Sequence, residues 1–136
     1  MATANIEIEL SGGEPDGTLQ RFEPGSRLEG TVRVTPAEDI HSRRVVLRVG
    51  WHTADGGNSE SGPSPVLEQQ LAEGPLAANT MVSQPFALDL PREPWSFAGP
   101  IVRIVWEAEV IIDVPMAPDI TLSQPFTLAP RAAPST

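Results

Sequence analysis

Between Arg103 and Val114 the side chains alternate with a period of two, and no other feature of the chain limits its fold so strongly. Ile104, Trp106, Ala108, Val110, Ile112 and Val114 share one phase, while Arg103, Glu107, Glu109 and Asp113 share the other. Only Val105 and Ile111 break the pattern. Successive side chains of a strand point to opposite faces of its sheet, so this segment has one dry face and one wet face. A helix would scatter the same charges through its apolar stripe. The segment is a strand.

Other segments follow the same rule. Ile6, Ile8 and Leu10 alternate with Glu7 and Glu9. Leu28, Val32 and Val34 alternate with Arg27, Glu29, Thr31 and Arg33, with Gly30 on the inner phase. Val45, Leu47, Val49 and Trp51 alternate with Arg44, Arg48 and His52. Phe86, Leu88 and Leu90 share a phase, as do Ile120, Leu122, Phe126 and Leu128. Residues 18–22 and 65–72 are weaker strand candidates with mixed phases. The reading predicts about eight strands and no long helix.

The fifteen Pro and eleven Gly are scattered between these runs, as turns that punctuate short strands. Gly12-Gly13-Glu14-Pro15-Asp16-Gly17, Pro24-Gly25-Ser26, Asp55-Gly56-Gly57-Asn58 and the stretch from Pro91 to Pro100 carry the clearest turn signals. Many one-face-wet strands joined by turns predict an all-β, immunoglobulin-like antiparallel sandwich. Residues 1–130 read as one domain and residues 131–136 as a flexible C-terminal tail. A short repeat, Ser83-Gln84-Pro85-Phe86-Ala87-Leu88 and Ser123-Gln124-Pro125-Phe126-Thr127-Leu128, leads into two of the strands. Because proline lacks an N–H, each copy is expected at a strand start, an edge or a bulge.

Charge excludes several partners. Eighteen Asp and Glu against nine basic residues give a formal net charge of -9, and every basic residue is Arg. Such a surface repels phosphate backbones and anionic lipid heads, so neither nucleic acid nor a membrane surface is an expected partner. No apolar run is long enough to cross a bilayer. The N-terminus shows no secretory signal, and the sequence has no Cys; both fit a cytoplasmic protein.

From Phe22 to Val34 the sequence Phe22-Glu23-Pro24-Gly25-Ser26-Arg27-Leu28-Glu29-Gly30-Thr31-Val32-Arg33-Val34 resembles the amino-terminal domain of arrestins, with an aromatic, Pro-Gly and a hydrophobic-x-Gly-x-Val strand. The strand Arg44 to Trp51 is similar to the one that follows there. So is the succession Phe86-Ala87-Leu88-Asp89-Leu90-Pro91, Pro94-Trp95-Ser96-Phe97 and Val102-Arg103-Ile104-Val105-Trp106. The resemblance runs from about Ile6 to Leu128 and implies a sandwich of arrestin type used as a scaffold or adaptor. Relatives so implied include trafficking adaptors and bacterial sporulation-control proteins. Two departures matter. Arrestins have two such domains, and this chain has length for one. Their first strand offers lysines to phosphates, whereas Glu7 and Glu9 here would repel them, so phosphate sensing does not carry over.

Catalytic constellations are not visible. His41 and His52 are the available imidazoles, and both read as surface residues. Glu7, Glu9, Glu107 and Glu109 read as solvated carboxylates that pair across strands with Arg27, Arg33, Arg44, Arg48 or Arg103. Residues 55–58 could offer oxygens to a weak calcium ion, but a plain turn is the favoured reading. Trp51 and Trp106 are expected in the core. Trp95, in a Pro-bounded loop, is the aromatic expected to be partly exposed, while its place in the arrestin-like Pro94-Trp95-Ser96-Phe97 run suggests that it plugs one end of the sandwich. The expected function is therefore non-enzymatic, with no catalytic, cofactor or metal site. The domain would bind a protein partner through a sheet edge or its end loops. The alternative is a self-assembling subunit, a homo-oligomer or part of a larger particle.

Overall fold

The computed structural model describes residues 3–16, 18–55, 64–98 and 102–130. Their regular structure is all strand: β1 (Ala4–Ser11), β2 (Glu14–Asp16), β3 (Leu19–Phe22), β4 (Arg27–Pro36), β5 (Arg44–Asp55), β6 (Ser64–Glu73), β7 (Val82–Asp89), β8 (Phe97–Ala98), β9 (Val102–Asp113) and β10 (Ile120–Leu128). Ten strands thus replace the expected eight. The two additions, β2 and β8, are three and two residues long, too short to show any periodicity. The tail at 131–136 and most of the turn at 55–58 lie outside the described residues.

The strands form two sheets, a small one in the order β1-β4-β7 and a large one in the order β2-β3-β10-β9-β5-β6, with β8 paired to β9. Among the described residues all strand pairings are antiparallel but one: β3 runs parallel to β10, through Arg21 with Thr127 and Phe22 with Leu128. This pair departs from a purely antiparallel sandwich.

The core lies between the sheets and is built from the phases read in the sequence. Leu28, Val32 and Val34 of β4 face Leu47 and Val49 of β5, Trp106, Val110 and Ile112 of β9, and Phe126 and Leu128 of β10; all are buried. Each such side chain contributes roughly 1.5–3 kcal/mol before chain entropy is subtracted. The ring of Phe126 meets Phe22 edge-on at a centroid distance of 5.6 Å and Trp106 at 6.0 Å. Trp51 packs against this cluster but is only partly buried. Gly30 leaves room within the small sheet: a Cβ there would collide with the carbonyl oxygen of Glu9 on β1 and stand 2.8 Å from the ring of Phe86, its cross-strand partner on β7.

The mixed phase of β6 has a definite cause. Its register against β5 slips twice, so Leu71 falls between the partners of Val45 and Val46, and Val66 between those of Val49 and Gly50. Each extra residue reverses which face the following side chains use.

Candidate protein-interaction edge

A sandwich offers partners its strand edges, and β1 presents the most regular one. It pairs with β4 over all eight residues, Ala4 with Pro36 through Ser11 with Glu29, without a bulge. In an antiparallel ladder, alternate residues turn both their N–H and C=O toward the partner, and the others turn both away. The Ala37 N–H donates to the Thr3 carbonyl at 2.9 Å, which sets the phase. Thr3, Asn5, Glu7 and Glu9 therefore direct their main chain to β4, and Ile6, Ile8 and Leu10 direct theirs outward. The Gln20 side chain agrees with this phase, since its Nε2 donates to the Leu10 carbonyl at 3.0 Å. Among the described residues no strand pairs with the outward side of Ile6 and Ile8.

The remaining described edges are obstructed. On β7 the Leu90 N–H donates to Ser26 at 2.8 Å, so Pro85 and Ala87 are turned outward, and Pro85 removes a donor from the middle of that edge. On β10, Pro125 lies just ahead of Thr127, where β3 begins to pair. Both copies of the sequence repeat thus place their proline at a local edge, within the strand and not at its start. β2 has three residues with Pro15 at its centre, and β6 carries its two bulges. Prolines and bulges discourage strand addition.

Beside β1 lies a groove of about 320 Å³ lined by Ile8, Leu10, Thr18, Gln20 and Gln124, with Glu7, Glu9 and Arg33 at its rim. Ile8 is half-buried although it shares the inward phase of Ile6 and Leu10, because it borders this groove. On the outer face Arg33 sits between two carboxylates, 3.2 Å from Glu9 and 4.0 Å from Glu7.

The other candidate residues are dispersed. His41 is exposed, as expected. His52 is not: it is 9 % exposed, with Nδ1 3.5 Å from Glu107 Oε1. The sequence phase is correct, for His52 does lie on the outer face of β5. What buries it is the neighbourhood, because Glu107 stands opposite Gly50 and can lean across the vacant position toward His52. Arg48 reaches Glu68 at 3.7 Å, Arg44 reaches Asp113 at 3.8 Å and Arg27 reaches Asp89 at 3.3 Å, carboxylates the sequence does not single out for pairing. Of those it does, Glu7 and Glu9 meet Arg33 as expected, whereas Glu107 is largely buried beside His52 and not solvated. Among the described residues no group of three or more His, Cys, Asp or Glu is placed to hold a metal.

Trp95 is partly exposed, as expected, but it does not plug the sandwich. It is 52 % exposed, its indole N–H donates to the Arg92 carbonyl at 2.9 Å, and it borders a shallow apolar concavity with Pro94 and Ile104. The end is closed instead by Trp106, whose indole N–H donates to the Pro94 carbonyl at 2.7 Å, and by Ser96, which exchanges hydrogen bonds with Leu128.

The fold class this architecture defines is the arrestin-like β-sandwich. One solved structure that resembles the chain is the sporulation control protein Spo0M from Bacillus subtilis, with a TM-score of 0.68 and 14 % sequence identity. The match covers 93 % of this chain and 49 % of that one, so the chain spans about half the length of Spo0M. At this identity the likeness shows the fold alone. No protein-family profile and no curated protein matches the sequence. Among the described residues no helix is long and apolar enough to cross a membrane.

Proposed function

We propose that the chain is a non-enzymatic interaction domain that binds a protein partner by accepting an extended segment as a new strand on β1. The observation that carries this reading is the contrast among edges. Ile6 and Ile8 offer outward main-chain groups on an unbroken strand, while Pro15, Pro85, Pro125 and the β6 bulges mark the other described edges. Strand addition draws affinity from main-chain hydrogen bonds and specificity from alternate side chains. The arrestin-like fold is compatible with such an adaptor, and the cysteine-free sequence fits a cytoplasmic setting.

Self-pairing is disfavoured by charge. Two copies of β1 joined antiparallel about Ile8 would set Glu7 of one copy against Glu9 of the other, on the same face. The chain's net charge of -9 opposes the same encounter.

The experiment is affinity capture from the native lysate with the unaltered chain and with Ile8→Pro. That substitution deletes an outward N–H without removing a bond to β4. A stoichiometric partner held by the unaltered chain and lost from a folded Ile8→Pro supports the proposal. Equal retention by both chains, or no partner at all, contradicts it.

A further inference from the structure

Resting on that reading of β1, we infer that the accepted segment is basic, with Lys or Arg at every second position. A strand laid beside β1 would bring its own alternate side chains next to Glu7 and Glu9 on the outer face, because pleats align across a ladder. Both carboxylates are exposed and share one cation: Arg33 stands 3.2 Å from Glu9 and 4.0 Å from Glu7, on the β4 side. Two negative charges and one positive leave the trio net negative, and the flank away from Arg33 is the flank the new strand would occupy. A cation there completes the pairing, and an anion meets two carboxylates. The other alternate positions of the segment would face the groove, where Ile8 and Leu10 supply apolar wall and Gln20 and Gln124 supply amides. Small or medium apolar side chains fit that side. The recognised pattern is therefore cationic outward and apolar inward, along about four to six residues.

Peptides of about nine residues test this. One alternates Lys with Val; its counterparts carry Ser or Glu in place of Lys. Binding is followed by titration calorimetry, and protection of the Ile6 and Ile8 amides by NMR hydrogen exchange. The Lys peptide is expected to bind and to protect both amides. Glu7→Gln with Glu9→Gln is expected to weaken it by roughly 3- to 10-fold. The pair Glu23→Gln and Glu38→Gln, which removes the same charge from exposed sites elsewhere, is expected to leave it unchanged. If the Ser or Glu peptide protects Ile6 and Ile8 as well as the Lys peptide does, the basic pattern is wrong while the open edge stands. Lys-peptide binding that spares these amides, or that both double variants weaken equally, is diffuse attraction to an acidic surface and overturns the inference. Should no peptide protect them, both the pattern and the edge reading fall.

Discussion

Trp106 holds Pro94 through a 2.7 Å hydrogen bond from its indole N–H to the proline carbonyl, and this contact ties the centre of the core to the loop that closes one end of the sandwich. The same indole packs against Phe126 and is fully buried. One side chain thus packs against its cross-strand partner on β10 and anchors the loop that carries Pro94.

Trp106→Phe keeps an aromatic ring but removes the donor and leaves a void. Loss of the bond and of buried volume together should cost about 2–4 kcal/mol, read as a lower denaturant midpoint at unchanged slope. Because Pro94 is released, the fluorescence of the neighbouring Trp95 should shift in the folded baseline. A variant as stable as the parent would show that the contact contributes nothing.

Gly30→Ala should destabilise the sandwich by roughly 1–3 kcal/mol, through overpacking alone. The added methyl would meet the main-chain oxygen of Glu9 and the Phe86 ring, and the backbone oxygen cannot move without disturbing the β1–β4 ladder. Thermal unfolding checks this, and the fall in midpoint should be several degrees.

Arg33→Ala should hardly affect stability, since its two carboxylate contacts are exposed and each such pair contributes about 0.2–1 kcal/mol. Its effect on binding should have the opposite sign to that of removing Glu7 and Glu9. With Arg33 gone, both carboxylates are left to a cationic strand, and calorimetry should find that strand bound more tightly.

Pro85→Val should restore an outward N–H to the middle of the β7 edge. The isolated chain is then expected to self-associate at lower concentration than its parent in light scattering, as an unguarded edge does. Unchanged scattering would mean that Pro85 does not guard this edge.

The parts of the fold legible in the sequence are those whose faces are set by the strand itself. The alternation from Arg103 to Val114 places Trp106, Ala108, Val110 and Ile112 in the core without knowledge of any neighbour, and the structure agrees. Where a neighbour decides, the sequence is silent. Residues 65–72 look irregular because Leu71 and Val66 are bulges against β5, a relation between two strands. His52 reads as a surface histidine because nothing local reveals that Glu107 will stand over Gly50. Glu7 and Glu9 were visible as an alternating acidic pair, but the openness of their strand depends on sheet order, which places β1 at the margin. The arginine pairings were legible as a class and not as individual partners, since register selects them.

Residue-resolved hydrogen exchange of β1 in the isolated chain tests the open edge most directly. The amides of Ile6 and Ile8 should exchange far faster than those of Glu7 and Glu9, which are bonded to β4, and should slow when a partner strand is added. Slow exchange at Ile6 and Ile8 in the isolated chain, matching their neighbours, would mean the edge is already covered and would contradict the account.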